Sequence, residues 1–175
     1  KQNDQQKTNI IIVHGCPGTE EATMKLSPER YDRHWMPWIR SKLNGLGTPT
    51  EIAIMPEPWK PDYERWKNEF EKYPVTEQTI LIGHSCGCAF LTRWLGDTKK
   101  KIHALILVAP WKIGKHALYD FDIDPTIKDR IARIILFTSD TEMPDGVKSL
   151  AMYHGVLGGK IISLPNRGHY TMEDM

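Results

Sequence analysis

An open, doubly wound α/β domain is what this sequence predicts, and three observations predict it. Six short apolar, β-branched segments recur along the 175 residues. Runs within them, such as Ile10-Ile11-Ile12-Val13 and Ile134-Ile135-Leu136-Phe137, do not alternate with polar residues, the mark of strands covered on both faces. Helical stripes separate most of the segments, and that alternation specifies a three-layer α/β/α sandwich around about six mainly parallel strands.

The elements follow in order. Asn9–Val13 is the first strand, and His14-Gly15-Cys16-Pro17-Gly18 the turn that leaves it. Arg33–Leu46 carries Trp35, Trp38, Ile39 and Leu43 at helical spacing, and Glu51–Met55 is the second strand. Pro61-Asp62 is a helix start signal for Pro61–Tyr73, whose stripe is Tyr63, Trp66 and Phe70. Gln78–Ile82, His103–Ala109, Arg133–Thr138 and Lys160–Leu164 are the remaining strands, with helices over Cys88–Leu95 and Val147–Leu157. Trp111–Thr126, rich in Asp, fits neither period and reads as a loop at the carboxyl edge of the fourth strand. No repeat, low-complexity tract or linker divides residues 1–175, so one domain is expected.

Charge and composition exclude several classes. Lys and Arg total 23 against 22 Asp and Glu, a net charge of +1, which gives no electrostatic case for nucleic acid or an anionic membrane. The longest apolar run, Ala104 to Pro110, is too short to span a bilayer. Lys1 to Thr8 lacks the apolar stretch of a signal peptide. The cysteine count of three is odd, and Cys86 and Cys88, two apart at a helix start, point away from each other. Reduced thiols in a cytoplasmic protein are therefore expected, without a disulfide. A metal among His14, Cys16, Cys86 and Cys88 matches no zinc spacing, so neither metal nor cofactor is expected.

Chemistry enters after the third strand, where Gly83-His84-Ser85-Cys86-Gly87 is G-x-S-x-G in a strand–turn–helix setting. Such a turn lifts the serine hydroxyl above the sheet, and it brings strand and helix so close that the flanking positions must be small. The Cys86 amide, at a helix N-terminus, can donate to a developing oxyanion. The second donor by position is the Cys16 amide in the turn after the first strand, since Pro17 has no N–H.

Serine needs a base, and the base needs an orienting acid. Asp140 follows the fifth strand and His169 the sixth, in the order Ser, acid, His. All three fall at carboxyl ends of strands, where ligands bind in sheets of this kind. Asp140 is the preferred acid, with Glu142 and Asp145 as neighbours that could replace it. His84 should turn away from the serine hydroxyl. Trp59 and Trp111, after the second and fourth strands, are candidates for an apolar substrate wall or for packing under a loop.

These motifs resemble the family of small serine hydrolases that includes retinoblastoma-binding protein nine and its bacterial relatives. The similarity rests on the His14-Gly15 turn, His34-Trp35-Met36-Pro37-Trp38, Met55-Pro56, the Gly83-to-Gly87 elbow, an Asp four residues before Pro144, and Gly168-His169. It implies a lidless α/β-hydrolase fold, cofactor-independent hydrolysis and a triad of Ser85, Asp140 and His169. Two features depart from it. The L-x-C-x-E motif is absent, and only six residues follow His169 where relatives continue into a closing helix. The expected activity is cleavage of a small-molecule acyl substrate, carboxylic esters first and peptide-like amides second. A catalytically silent scaffold used for protein binding is the competing reading.

Overall fold

The computed structural model describes residues 7–17 and 35–171. Its six strands are β1 (Ile10–Val13), β2 (Thr50–Ala53), β3 (Ile80–His84), β4 (Ile102–Val108), β5 (Ile131–Ser139) and β6 (Lys160–Leu164). They form one sheet in the order β2-β1-β3-β4-β5-β6, and every pairing is parallel. The four α-helices of the described residues are α1 (Trp35–Gly45), α2 (Tyr63–Phe70), α3 (Cys86–Thr98) and α4 (Pro144–Leu157).

Successive strand residues feed opposite faces. Ile11, Val13, Leu81, Leu105, Leu107 and Leu136 join one core with Trp66 and Phe70 of α2, Phe90 and Trp94 of α3, and Tyr153 and Leu157 of α4. Ile10, Ile12, Ile82 and Val108 join another with Met36 of α1 and Tyr170. The buried Trp66 and Trp94 have their N–H groups satisfied, Trp66 donating to Pro56 O at 2.9 Å and Trp94 to Glu71 Oε1 at 3.1 Å.

Local signals set the helix ends. Asp62 caps α2, its Oδ1 accepting from the Arg65 amide at 2.8 Å. Pro144 sits in the first turn of α4, where its missing N–H costs nothing, and Gly158 closes that helix at φ +65°. Two expectations shift. The helix expected from Cys88 begins at Cys86, because the elbow turns directly into helix. The Trp111–Thr126 loop holds a 3-10 turn at Ala117–Tyr119 and runs into another at Pro125–Asp129. Lys112 ties it down by donating to Tyr119 O at 2.8 Å and Phe121 O at 2.6 Å.

The strand order reverses at β1, which lies between β2 and β3. The segments leaving β1 and β3 thus diverge and open a crevice at the carboxyl edge. No helix among the described residues is long and apolar enough to cross a membrane.

Candidate active site

Ser85 occupies that edge in a conformation few residues adopt, φ 53° and ψ −120°. Its backbone is pinned from both sides: its N–H donates to Val108 O at 3.0 Å, and its carbonyl accepts from Cys88 at 3.0 Å and Trp111 at 3.2 Å. The flanking glycines are steric necessities. A Cβ on Gly83 would lie 2.9 Å from the Cys88 nitrogen, and one on Gly87 would lie 2.5 Å from Val13 O and 2.6 Å from His14 O. Sheet and helix touch backbone to backbone here, so the strained turn is over-determined by its surroundings.

His169 Nε2 lies 2.7 Å from Ser85 Oγ. On the other side of the ring, Nδ1 lies 2.9 Å from Glu142 Oε2 and 3.1 Å from Oε1. A carboxylate only accepts, so Nδ1 carries the proton and Nε2 offers its lone pair to the serine hydroxyl. The imidazole packs edge-on against Trp111, ring centroids 5.0 Å apart, and beside His84 at 5.5 Å. His84 turns away from Ser85 Oγ and its Nε2–H donates to the His169 carbonyl at 2.9 Å.

The acid expected at Asp140 is corrected by this geometry: the carboxylate behind the imidazole belongs to Glu142. Asp140 Oδ1 instead accepts from the Asn166 amide at 2.8 Å. Alongside it, Ser139 Oγ accepts from Arg167 N at 2.9 Å and Thr141 Oγ1 from Gly168 N at 3.0 Å. Residues 139–141 thus brace the turn that presents His169, while the longer Glu142 side chain folds back toward the ring. Its side chain is only 1% exposed, with Oε1 also accepting from Met143 N at 2.8 Å. Room for it comes from Gly146, where a Cβ would sit 2.5 Å from Glu142 Cδ.

A second correction concerns the cysteines. Cys16 and Cys86 form a disulfide, Cα–Cα 5.8 Å, and Cys88 alone is free, fully buried, with its Sγ donating to Val108 O at 3.7 Å. Burial pushes the Cys88 thiol far up from its ordinary pKa. The expectation of reduced thiols fails because the first-strand turn and the helix start, remote in sequence, meet at the crevice. The cytoplasmic expectation loses that support with it. The two residues whose amides were expected to serve one oxyanion are therefore bonded neighbours, and neither sulfur is available to a metal.

His14 fixes the loop that carries Cys16. Its Nε2 accepts from the Met55 amide at 2.9 Å, leaving Nδ1–H to donate to Gly15 O at 2.8 Å. Burial holds its pKa below the ordinary imidazole value. Of the two tryptophans proposed for substrate, the structure brings Trp111 to the imidazole. Trp59 lies in the turn after β2, and among the described residues no ring contact joins it to Ser85, His169 or Glu142.

A parallel sheet with a serine elbow after β3, and a histidine and carboxylate after the last strands, defines an α/β-hydrolase. The family model for serine hydrolases matches residues 27–174, and the chain belongs to that family. YdeN of Bacillus subtilis (strain 168) is 35% identical over 104 residues, 57% of this chain; the chain spans about half the length of that curated relative, 49%. The crystal structure of the B. subtilis ydeN gene product superimposes with a TM-score of 0.78 at 19% identity, covering 94% of this chain and 88% of that one. Est1E from Butyrivibrio proteoclasticus gives 0.62 at 17% identity, over 97% and 83% of the two chains. The B. subtilis carboxylesterase CesB gives 0.56 at 11% identity, over 95% and 78%. The chain has the α/β-hydrolase fold.

Proposed function

We propose that this hydrolase cleaves small carboxylic esters, and peptide-like amides more slowly, through an acyl-enzyme formed on Ser85. The observation that carries the reading is the continuous relay from Ser85 Oγ to His169 Nε2 at 2.7 Å and from Nδ1 to Glu142 at 2.9 Å. In the first half-reaction Ser85 Oγ attacks the acyl carbonyl and passes its proton to His169 Nε2. Glu142 holds the imidazole in the competent tautomer and stabilises the imidazolium. The Cys86 and Cys16 amides receive the oxyanion, and His169 then returns the proton to the leaving group. Water enters by the same base and releases the acid. Trp111, packed on the imidazole, forms an apolar wall for the acyl or leaving group.

Labelling with a fluorophosphonate probe tests the proposal. The wild type labels at one site and Ser85→Ala does not. A protein that takes up no probe while retaining its fold would instead support the silent scaffold.

A further inference from the structure

The Cys16–Cys86 disulfide joins two segments separated by 70 residues and spans the crevice between β1 and β3. It does so at the two residues whose amides the proposed reaction uses. We infer that this bond is a positioning clamp on the oxyanion hole and makes turnover depend on its redox state, an inference that rests on the Ser85 reading above.

The two sides of the clamp differ in how firmly they are held. Cys86 opens α3 and is buried, 1% exposed, with Gly87 wedged under the Val13 and His14 carbonyls. Its amide keeps its place with or without the sulfur bond. Cys16 is half-buried, one residue beyond the Gly15 carbonyl that His14 anchors, and it precedes Pro17. The Cys16 N–H shares its rigid peptide plane with that Gly15 carbonyl, so it is held on one side by the hydrogen bond from His14 and on the other by the bond from Cys16 Sγ to Cys86. Breaking the disulfide leaves that donor resting on the His14 hydrogen bond without its covalent partner, while the Cys86 amide and the Ser85–His169–Glu142 relay keep their places.

The chemistry is available. A dithiol reductant places one thiolate on Cys16 Sγ, the more exposed sulfur. The S–S bond breaks and Cys86 leaves as a thiolate at the N-terminus of the 13-residue α3, where the helix dipole favours an anion. The second reductant thiol then displaces the mixed disulfide. Cys16 emerges as a thiol and the reductant as a cyclic disulfide, with two electrons and two protons transferred. Cys88 takes no part, being buried and hydrogen-bonded to Val108.

The experiment compares the full chain, purified without reductant, before and after dithiothreitol. Thiol titration under denaturing conditions should find one free cysteine before and three after. Fluorophosphonate labelling and ester turnover are followed together, well below the melting temperature of either form. Reduction should lower kcat at least tenfold, toward the roughly hundredfold that one oxyanion donor is worth, with KM nearly unchanged. Removing the reductant and reoxidising should restore it. Cys88→Ala should respond to reductant as the wild type does, whereas Cys16→Ser should be slow and indifferent to it. A reduced form that melts earlier yet turns over at the oxidised rate would overturn the clamp, leaving only a structural cross-link. So would three free thiols in the untreated protein. Failure of the oxidised protein to label at Ser85 would instead remove the underlying reading, and the clamp with it.

Discussion

The two halves of the site are built in opposite ways. The Ser85 half is locked by backbone: Ser85 has strained dihedrals, its N–H and carbonyl are bound to β4 and the segment after it, and two glycines let chain segments touch. The His169 half is held by side chains. Ser139, Asp140 and Thr141 accept from the amides of the 166–168 turn, and Glu142 reaches the imidazole through a flexible stem over Gly146. A backbone lock tolerates no extra atom. A side-chain lock tolerates movement but loses alignment, so damage to one half should appear as lost stability and damage to the other as lost turnover.

Removing the shared link has the largest effect. Ser85→Ala or His169→Ala should lower kcat on the order of a millionfold, with circular dichroism and melting temperature retained. Next comes the test that separates the two carboxylates. Glu142→Gln keeps the shape but disturbs the tautomer and should cost roughly ten-thousandfold in kcat/KM. Asp140→Asn, which still offers an oxygen to Asn166, should cost less than about tenfold. The reverse ranking in steady-state assays would return the acid to Asp140.

Glycine substitutions divide the halves more finely. Gly146→Ala pushes on the mobile end of Glu142 and should reduce turnover by about a hundredfold with little change in melting temperature. Gly87→Ala pushes on the Val13 and His14 carbonyls, which cannot yield cheaply. It should destabilise the fold by about 1–3 kcal/mol or more, read by urea denaturation.

The smallest effect is a pH dependence of stability from His14. Its folded pKa is depressed by burial, so the unfolded chain binds the proton more readily. The unfolding free energy gains nothing from this group above the ordinary imidazole value of 6.5 and is eroded as pH falls below it. Denaturation at pH 7.5 and 5.5 measures the loss, and His14→Gln should flatten it.

The same division explains what the sequence could announce. Gly83 and Gly87 are residue choices forced by backbone contact on either side of Ser85, so the elbow was legible, as were the six strands that had to be apolar on both sides. Which carboxylate meets His169 was not, because Asp140 and Glu142 both follow β5, and the choice depends on where a flexible side chain folds. Gly146, four residues beyond Glu142, was the available hint. The disulfide has a signal in the sequence too. Two amides aimed at one oxyanion must stand on neighbouring residues, and both of those residues are cysteine. An odd count and the close pair Cys86–Cys88 drew attention to local spacing, whereas the pairing is set by the topology of the sheet.

The contact of Gly87 with the end of β1 also bears on how the protein becomes competent. Ser85, Glu142 and His169 all lie downstream of residue 80, yet the carbonyls packed on Gly87 belong to Val13 and His14, at the end of β1. A fragment beginning at α1 would carry Ser85, Glu142 and His169 and still lack the carbonyls that pack on Gly87. The proposed reaction therefore requires β1 to be seated beside β3, a long-range pairing that couples assembly of the sheet to the shape of the elbow.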